Sequence, residues 1–171
     1  MAQEMARFIG AKNRDQGATL EEQILTACGY YKALGLAAID KTPEPMRILR
    51  RMEKEQFVAC FSKKAQPDFQ GTLSSGRAVM FEAKTTRTGK IEQSAVTAEQ
   101  AEYLDNHAAM NALCFVVVSF IDTYATVPWS DWKRMKELFG HKHMTKVESA
   151  AYRVGYGKGG VLDFMNAIKR R

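Results

Sequence analysis

The chain has 171 residues and a formal net charge of +6, with 46% hydrophobic and 26% charged residues. That length suits one domain with a core of its own, and the balance is that of a soluble globular protein rather than a disordered or fibrous one. No apolar run approaches the about 20 residues of a membrane span, and the first residues lack the apolar centre of a signal peptide, so a cytoplasmic protein is expected.

Residues 1–12 read as an adaptable arm, and Asn13-Arg14-Asp15-Gln16-Gly17 as a turn-like entry. Thr19 is the expected N-cap of a first helix, with Glu22 placed to close a capping box. Leu20, Ile24, Ala27 and Tyr31 recur at helical spacing as its buried stripe, and Gly35 ends it. Residues 36–40 read as a short strand, interrupted by Pro43 and Pro45, and residues 46–50 as a second strand or extended segment. Residues 50–65 mix charge with Phe57-Val58-Ala59-Cys60-Phe61 and support no single assignment. Residues 69–73 and 78–84 read as strands joined by the turn Ser74-Ser75-Gly76-Arg77.

A polar loop is expected from Thr85 to Ser94. Thr97 or a neighbour caps a second helix with Ala101, Leu104 and Ala108 on its inner face. Residues 112–120 form the most apolar run and read as a central strand covered on both faces. Residues 123–127 read as its neighbour, and a short helix is expected from Ser130 or Asp131 through Leu138. Residues 155–160 read as a flexible glycine loop that lacks the Ser/Thr a phosphate-binding P-loop needs. A final helix is expected over residues 161–169. The order of elements predicts a mixed α/β core with helices against the sheet.

The cysteines, Cys28, Cys60 and Cys114, show no CxxC spacing, so no zinc site is expected, and Cys28 and Cys114 read as core residues. His107, His141 and His143 form no recognisable ligand set. The excess positive charge favours a polyanionic partner or serves solubility alone.

Chemistry concentrates at Pro67-Asp68 and Glu82-Ala83-Lys84. A hairpin between them brings Asp68 back beside Glu82. Side chains alternate along a strand, so Glu82 and Lys84 share a face and Ala83 points to the other. Paired carboxylates suit a hard divalent cation such as Mg²⁺, and a lysine on the same face can hold a water bound to it. The plainer reading is an exposed Asp and a Glu/Lys pair on a solvated strand face.

The pattern resembles the PD-(D/E)XK nuclease superfamily, and one family within it in particular: the RecU-type Holliday junction resolvases of Gram-positive bacteria and their phages. The likeness is carried by Asn13-Arg14 before a Gly-x-x-Leu-Glu helix ending in Tyr30-Tyr31, and by Ile39-Asp40-Lys41-Thr42-Pro43-Glu44-Pro45. Asp68-Phe69-Gln70-Gly71, Phe81-Glu82-Ala83-Lys84-Thr85 and Cys114-Phe115-Val116-Val117 complete it. The family's usual Thr-Thr-Asp step is Gln66-Pro67-Asp68 here, so Gln66 stands where a threonine near the metal is expected.

The resemblance implies one nuclease domain over residues 1–171, with a restriction-endonuclease-like core and a projecting stalk at about residues 57–66. It implies a homodimer that resolves four-way DNA junctions by Mg²⁺-dependent phosphodiester hydrolysis, with Mn²⁺ as a substitute. Asp68, Glu82 and the Ala83 carbonyl would hold the metal, and Glu21 would complete the set directly or through water. Lys84 would orient the attacking water. Gln100 supports the water or a phosphate, or is an ordinary surface residue of its helix. Arg14, Phe57, Phe61, Lys63, Lys64 and Thr85 are the candidate DNA contacts, against readings as core aromatics and surface polar groups. Another PD-(D/E)XK nuclease of different substrate, or a non-catalytic junction-binding accessory protein, are the other readings.

Overall fold

The structure is a computed structural model that describes residues 19–43, 46–52, 56–61, 66–157 and 159–166. In chain order it contains α1 (Leu20–Ala33), β1 (Ala37–Lys41), β2 (Met46–Arg51), β3 (Phe57–Phe61), β4 (Phe69–Leu73), β5 (Ala78–Thr86) and β6 (Lys90–Glu92). Then come α2 (Ala98–Ala109), β7 (Leu113–Phe120), β8 (Thr123–Pro128), α3 (Trp129–Lys133), α4 (Met135–Phe139), β9 (His143–Thr145) and β10 (Arg153–Val154). Short 3₁₀ turns occupy Gln93–Ala95 and Glu148–Tyr152.

Thr19 opens α1 through the expected capping box. Its hydroxyl accepts from the Glu22 amide at 3.3 Å, and the Glu22 carboxylate accepts from the Thr19 amide at 2.7 Å. Two amides that a helix start leaves without partners are thereby satisfied. Leu20, Ile24, Ala27 and Tyr31 are buried, as their spacing predicts, together with Gln23 and Cys28. Gly35, at φ +65°, turns the chain out of the helix in the left-handed conformation that glycine adopts freely.

The central sheet has six strands in the order β1-β4-β5-β7-β8-β10. β5 and β7 are parallel and joined through α2, while the other neighbours in this sheet are antiparallel. Alternation along the strands divides the interior in two. On one face Phe69, Phe81, Phe115 and Val117 pack under α1 with Val161, Leu162 and Phe164. On the other, Met80, Val116, Val118, Ala125 and Val127 pack with Leu104 of α2, Trp129, Trp132 and Met135. β7 is buried on both faces, as its apolar run predicts. This is the mixed sheet flanked by helices that the sequence leads one to expect.

Three elements differ from expectation. The polar segment after Lys84 is not one loop: β5 runs on to Thr86, and β6 pairs with β9 as a separate two-stranded sheet. The single short helix expected near Ser130–Leu138 is two, α3 and α4. Residues 161–165 are not helical; Leu162 bridges to Tyr156, and Phe164 is fully buried against the rings of Tyr31, Phe81 and Phe115. In the glycine loop before them Gly157 N–H is bonded to the Val161 carbonyl and Asp163 N–H to that of Gly155, both at 2.9 Å.

β2 and β3 form their own antiparallel pair apart from the central sheet. Every residue of β2 is exposed, including Met46, Ile48 and Leu49. The segment expected as a stalk therefore lies in one strand of a hairpin that begins at Met46, while residues 62–65 and the N-terminal arm lie outside the described residues.

Candidate active site

The register of the β4–β5 hairpin places the two acids. Phe69 lies opposite Phe81, so the preceding Asp68 lies opposite Glu82. Phe69 and Phe81 point to the α1 face, which turns Asp68 and Glu82 to the α2 face. Asp68 is fastened there by its own carboxylate: Oδ2 accepts from the Ala83 amide at 3.0 Å. Lys84 returns to the same face, with Nζ 2.9 Å from Glu82 Oε2 and 3.8 Å from Asp68 Oδ2. The sequence-expected cluster of Asp68, Glu82 and Lys84 is thus one constellation.

Gln100 joins it from α2. It is buried, so the reading as a surface residue does not hold. Its Oε1 accepts from the Thr97 amide at 3.1 Å and from Lys84 Nζ at 3.4 Å, and its Nε2 donates to Glu82 Oε2 at 2.6 Å. The capping box that starts α2 therefore fixes which way the amide points and aims its N–H₂ at Glu82.

Glu82 is 0% exposed, and its second oxygen, Oε1, is buried with no hydrogen-bond partner. Burial pushes its carboxyl up to about 7, the neighbouring Asp68 charge adds to this, and Lys84 pulls the other way. An acid held in this way is short of positive charge. Asp68, Glu82 and the neighbouring backbone carbonyls are hard oxygen donors, and the orphaned Oε1 is what a divalent cation would satisfy, so the residues fit such an ion.

Glu21 does not join them. Its carboxylate is paired with Lys41 Nζ on the α1 face of the sheet, the side opposite to Asp68 and Glu82. Among the described residues, no three His, Cys, Asp or Glu side chains gather closely enough to hold a metal between them. The chain places Glu21 on the first helix, as expected, and that helix covers the other face of the sheet. Lys41, the partner that holds it, was not singled out as a site residue, and only the β1–β4 register reveals it.

Thr85 is exposed and stands at the rim of a groove of about 410 Å³ that begins at Lys84 and runs past Thr86, Thr88 and Lys90. Beyond Glu92 and Ser94 a further cavity of about 460 Å³ opens, floored by Trp129 and Trp132 with Lys133 and Lys142 at its edge. Gln66 is exposed beside the buried Pro67. Phe57 and Phe61 lie in β3, but their side chains, like Arg14, Lys63 and Lys64, lie outside the described residues.

A mixed α/β domain with an acid–acid–lysine cluster on a central strand is the class that fold and site define. The sequence narrows it. A family model described as RecU, Recombination protein U, matches residues 15–170, and the chain belongs to that family. It is 28% identical to the Holliday junction resolvase RecU of Bacillus pumilus over 94% of this chain and 87% of that protein. With the Holliday junction resolvase RecU of Bacillus subtilis it shares 27% identity over 91% of this chain and 81% of that protein. Among solved structures, the Holliday junction resolvase Hjc of Archaeoglobus fulgidus aligns at 15% identity with a TM-score of 0.41, covering 64% of this chain and 70% of that one.

Proposed function

We propose that this protein is a divalent-metal-dependent endonuclease that resolves four-way DNA junctions, working in the cytoplasm as a homodimer. The observation that carries the reading is the cluster itself: a fully buried Glu82 with an orphaned oxygen, set beside Asp68 and bridged by Lys84. Membership of the RecU family gives the cluster its substrate.

Asp68 and Glu82 would hold Mg²⁺, or Mn²⁺ in its place, together with the Ala83 carbonyl. The chemistry such an ion supplies when bound is polarisation of the scissile phosphate and a more acidic water. The chain's own residues do the rest. Lys84, held between Glu82 and Gln100, presents an ammonium that orients the attacking water and offsets charge developing on the phosphate. Gln100 keeps Glu82 turned inward. Glu21, paired with Lys41, would complete the ligand set directly or through an intervening water. The groove beside Lys84, with Thr85 at its rim, takes the backbone of the strand being cut, and the exposed β2–β3 hairpin serves as the stalk at the junction centre. Arg14, Lys63 and Lys64 add phosphate contacts, and Phe57 and Phe61 stack on unpaired bases.

The test is cleavage of a synthetic four-way junction with strand-resolved products. Asp68→Asn and Glu82→Gln are expected to abolish Mg²⁺-dependent cutting while junction binding survives. Full cutting by both variants would remove the site assignment, and equal cutting of linear duplex and junction by the unaltered protein would remove the junction preference.

A further inference from the structure

Thr42 follows β1, and its amide donates to the Asp68 carbonyl at 2.9 Å. That bond continues the β1–β4 register by one residue beyond the Lys41–Phe69 pair, so Thr42 lies directly opposite Asp68. The side of the sheet follows from alternation. Ile39 packs in the α1 core and Lys41 reaches Glu21 on that side, which turns Thr42 to the other, with Asp68 and Glu82. Thr42, Asp68 and Glu82 thus form one row across three adjacent strands.

The Thr42 side chain is 4% exposed, and its hydroxyl oxygen is buried without a hydrogen-bond partner. A buried hydroxyl in this condition lowers stability relative to an apolar group of the same shape. Side chains directly opposite on neighbouring strands have Cβ atoms about 5 Å apart. That spacing sets the hydroxyl beside the Asp68 carboxylate, whose Oδ2 is already held by the Ala83 amide.

We infer that Thr42 is a positioning residue of the active site: its hydroxyl donates to the Asp68 carboxylate and fixes that group's orientation when the site takes up its cation and substrate. This deepens the nuclease reading and rests on it. It also answers the departure at Gln66. Gln66 is exposed and carries no hydroxyl, and a threonine from the neighbouring strand supplies one instead.

The test compares Thr42→Val, which keeps the shape and removes the hydroxyl, with Thr42→Ser, which keeps the hydroxyl. Three readouts are taken: the melting temperature in EDTA, the Mg²⁺ concentration that half-saturates the thermal shift, and junction-cleavage rate. Thr42→Val is expected to melt at or above the temperature of the unaltered protein in EDTA. It is also expected to need more Mg²⁺ and to lose activity, by about 10- to 100-fold, the usual cost of removing a group that orients a metal ligand. Thr42→Ser is expected to restore the Mg²⁺ response and the rate.

A purely structural role would show as a lowered melting temperature in EDTA with an unchanged Mg²⁺ response, and that pattern overturns the inference. So does a Thr42→Val protein that cuts and responds to Mg²⁺ normally. Asp68→Asn runs beside them. If it is inactive while Thr42→Val is normal, only Thr42's role fails; if it cuts normally, the site itself fails and Thr42's role with it.

Discussion

Glu82 is the residue on which the chemistry and the stability of this protein meet. Its carboxyl is raised from 4.5 to about 7, first by burial and then by Asp68. Between those values the folded protein holds a proton that the unfolded chain has released. The contribution of this group to stability is then fullest below pH 4.5 and falls as pH rises through about 7, by on the order of 3 kcal/mol. Thermal melts in EDTA across that range are expected to show the decline, and Glu82→Gln, which has no proton to lose, is expected to flatten it. Mg²⁺ competes with the proton for the same oxygens, so its stabilising effect is expected to be larger at pH 8 than at pH 5. An equal Mg²⁺ shift at both would mean that the ion binds elsewhere.

At the scale of elements, the row of site residues depends on how closely β1 and β4 approach. Gly71 is the point of closest contact: a Cβ there would lie 2.0 Å from the Ala38 carbonyl oxygen and 2.6 Å from the Ile39 Cα. Those are backbone atoms and cannot rotate away. Gly71→Ala is expected to force the strands apart and cost more than about 3 kcal/mol, with loss of cutting as Asp68 is displaced. Gly89→Ala is the control, since nothing lies within 4 Å of its added Cβ. Chemical denaturation of both variants measures the difference, and equal stability would show that β1 gives way easily.

The same elements show what was legible in the sequence. The β4–β5 hairpin was, because its pairing is local and its turn carries Gly76 at φ +84°. β7 was, because burial on both faces leaves an unbroken apolar run. β6 and β9 were not: each has three residues, and only pairing across a long separation makes them strands. Val161, Leu162, Phe164 and Met165 carry a helix-like apolar pattern, yet they are buried by packing against the sheet. The site divides the same way. Asp68, Glu82 and Lys84 share one hairpin, so spacing alone united them. Glu21 depended on which face α1 covers, and Thr42 on a cross-strand register, neither of which local sequence contains.

Among the described residues each chain has one such cluster, whereas resolving a junction takes two cuts in opposed strands. A two-fold dimer matches the two-fold symmetry of the junction centre, so each protomer of the proposed dimer would cut one strand. This has a numerical consequence. If unaltered protein and Asp68→Asn are mixed and allowed to exchange, mixed dimers carry one working site. Total nicking should then fall in proportion to the fraction of unaltered chains. Paired resolution on one junction should fall as the square of that fraction, because it needs two working chains in the same dimer. Strand-resolved products across a series of mixtures distinguish this from a protomer acting alone, for which the two products fall together. The positive excess of +6 sharpens the design: phosphate contacts weaken steeply with salt, so the mixtures must be compared at one ionic strength, low enough that every dimer is bound to a junction. A linear fall in paired resolution under those conditions would mean that the two cuts come from separate binding events and that the dimer is not the working unit.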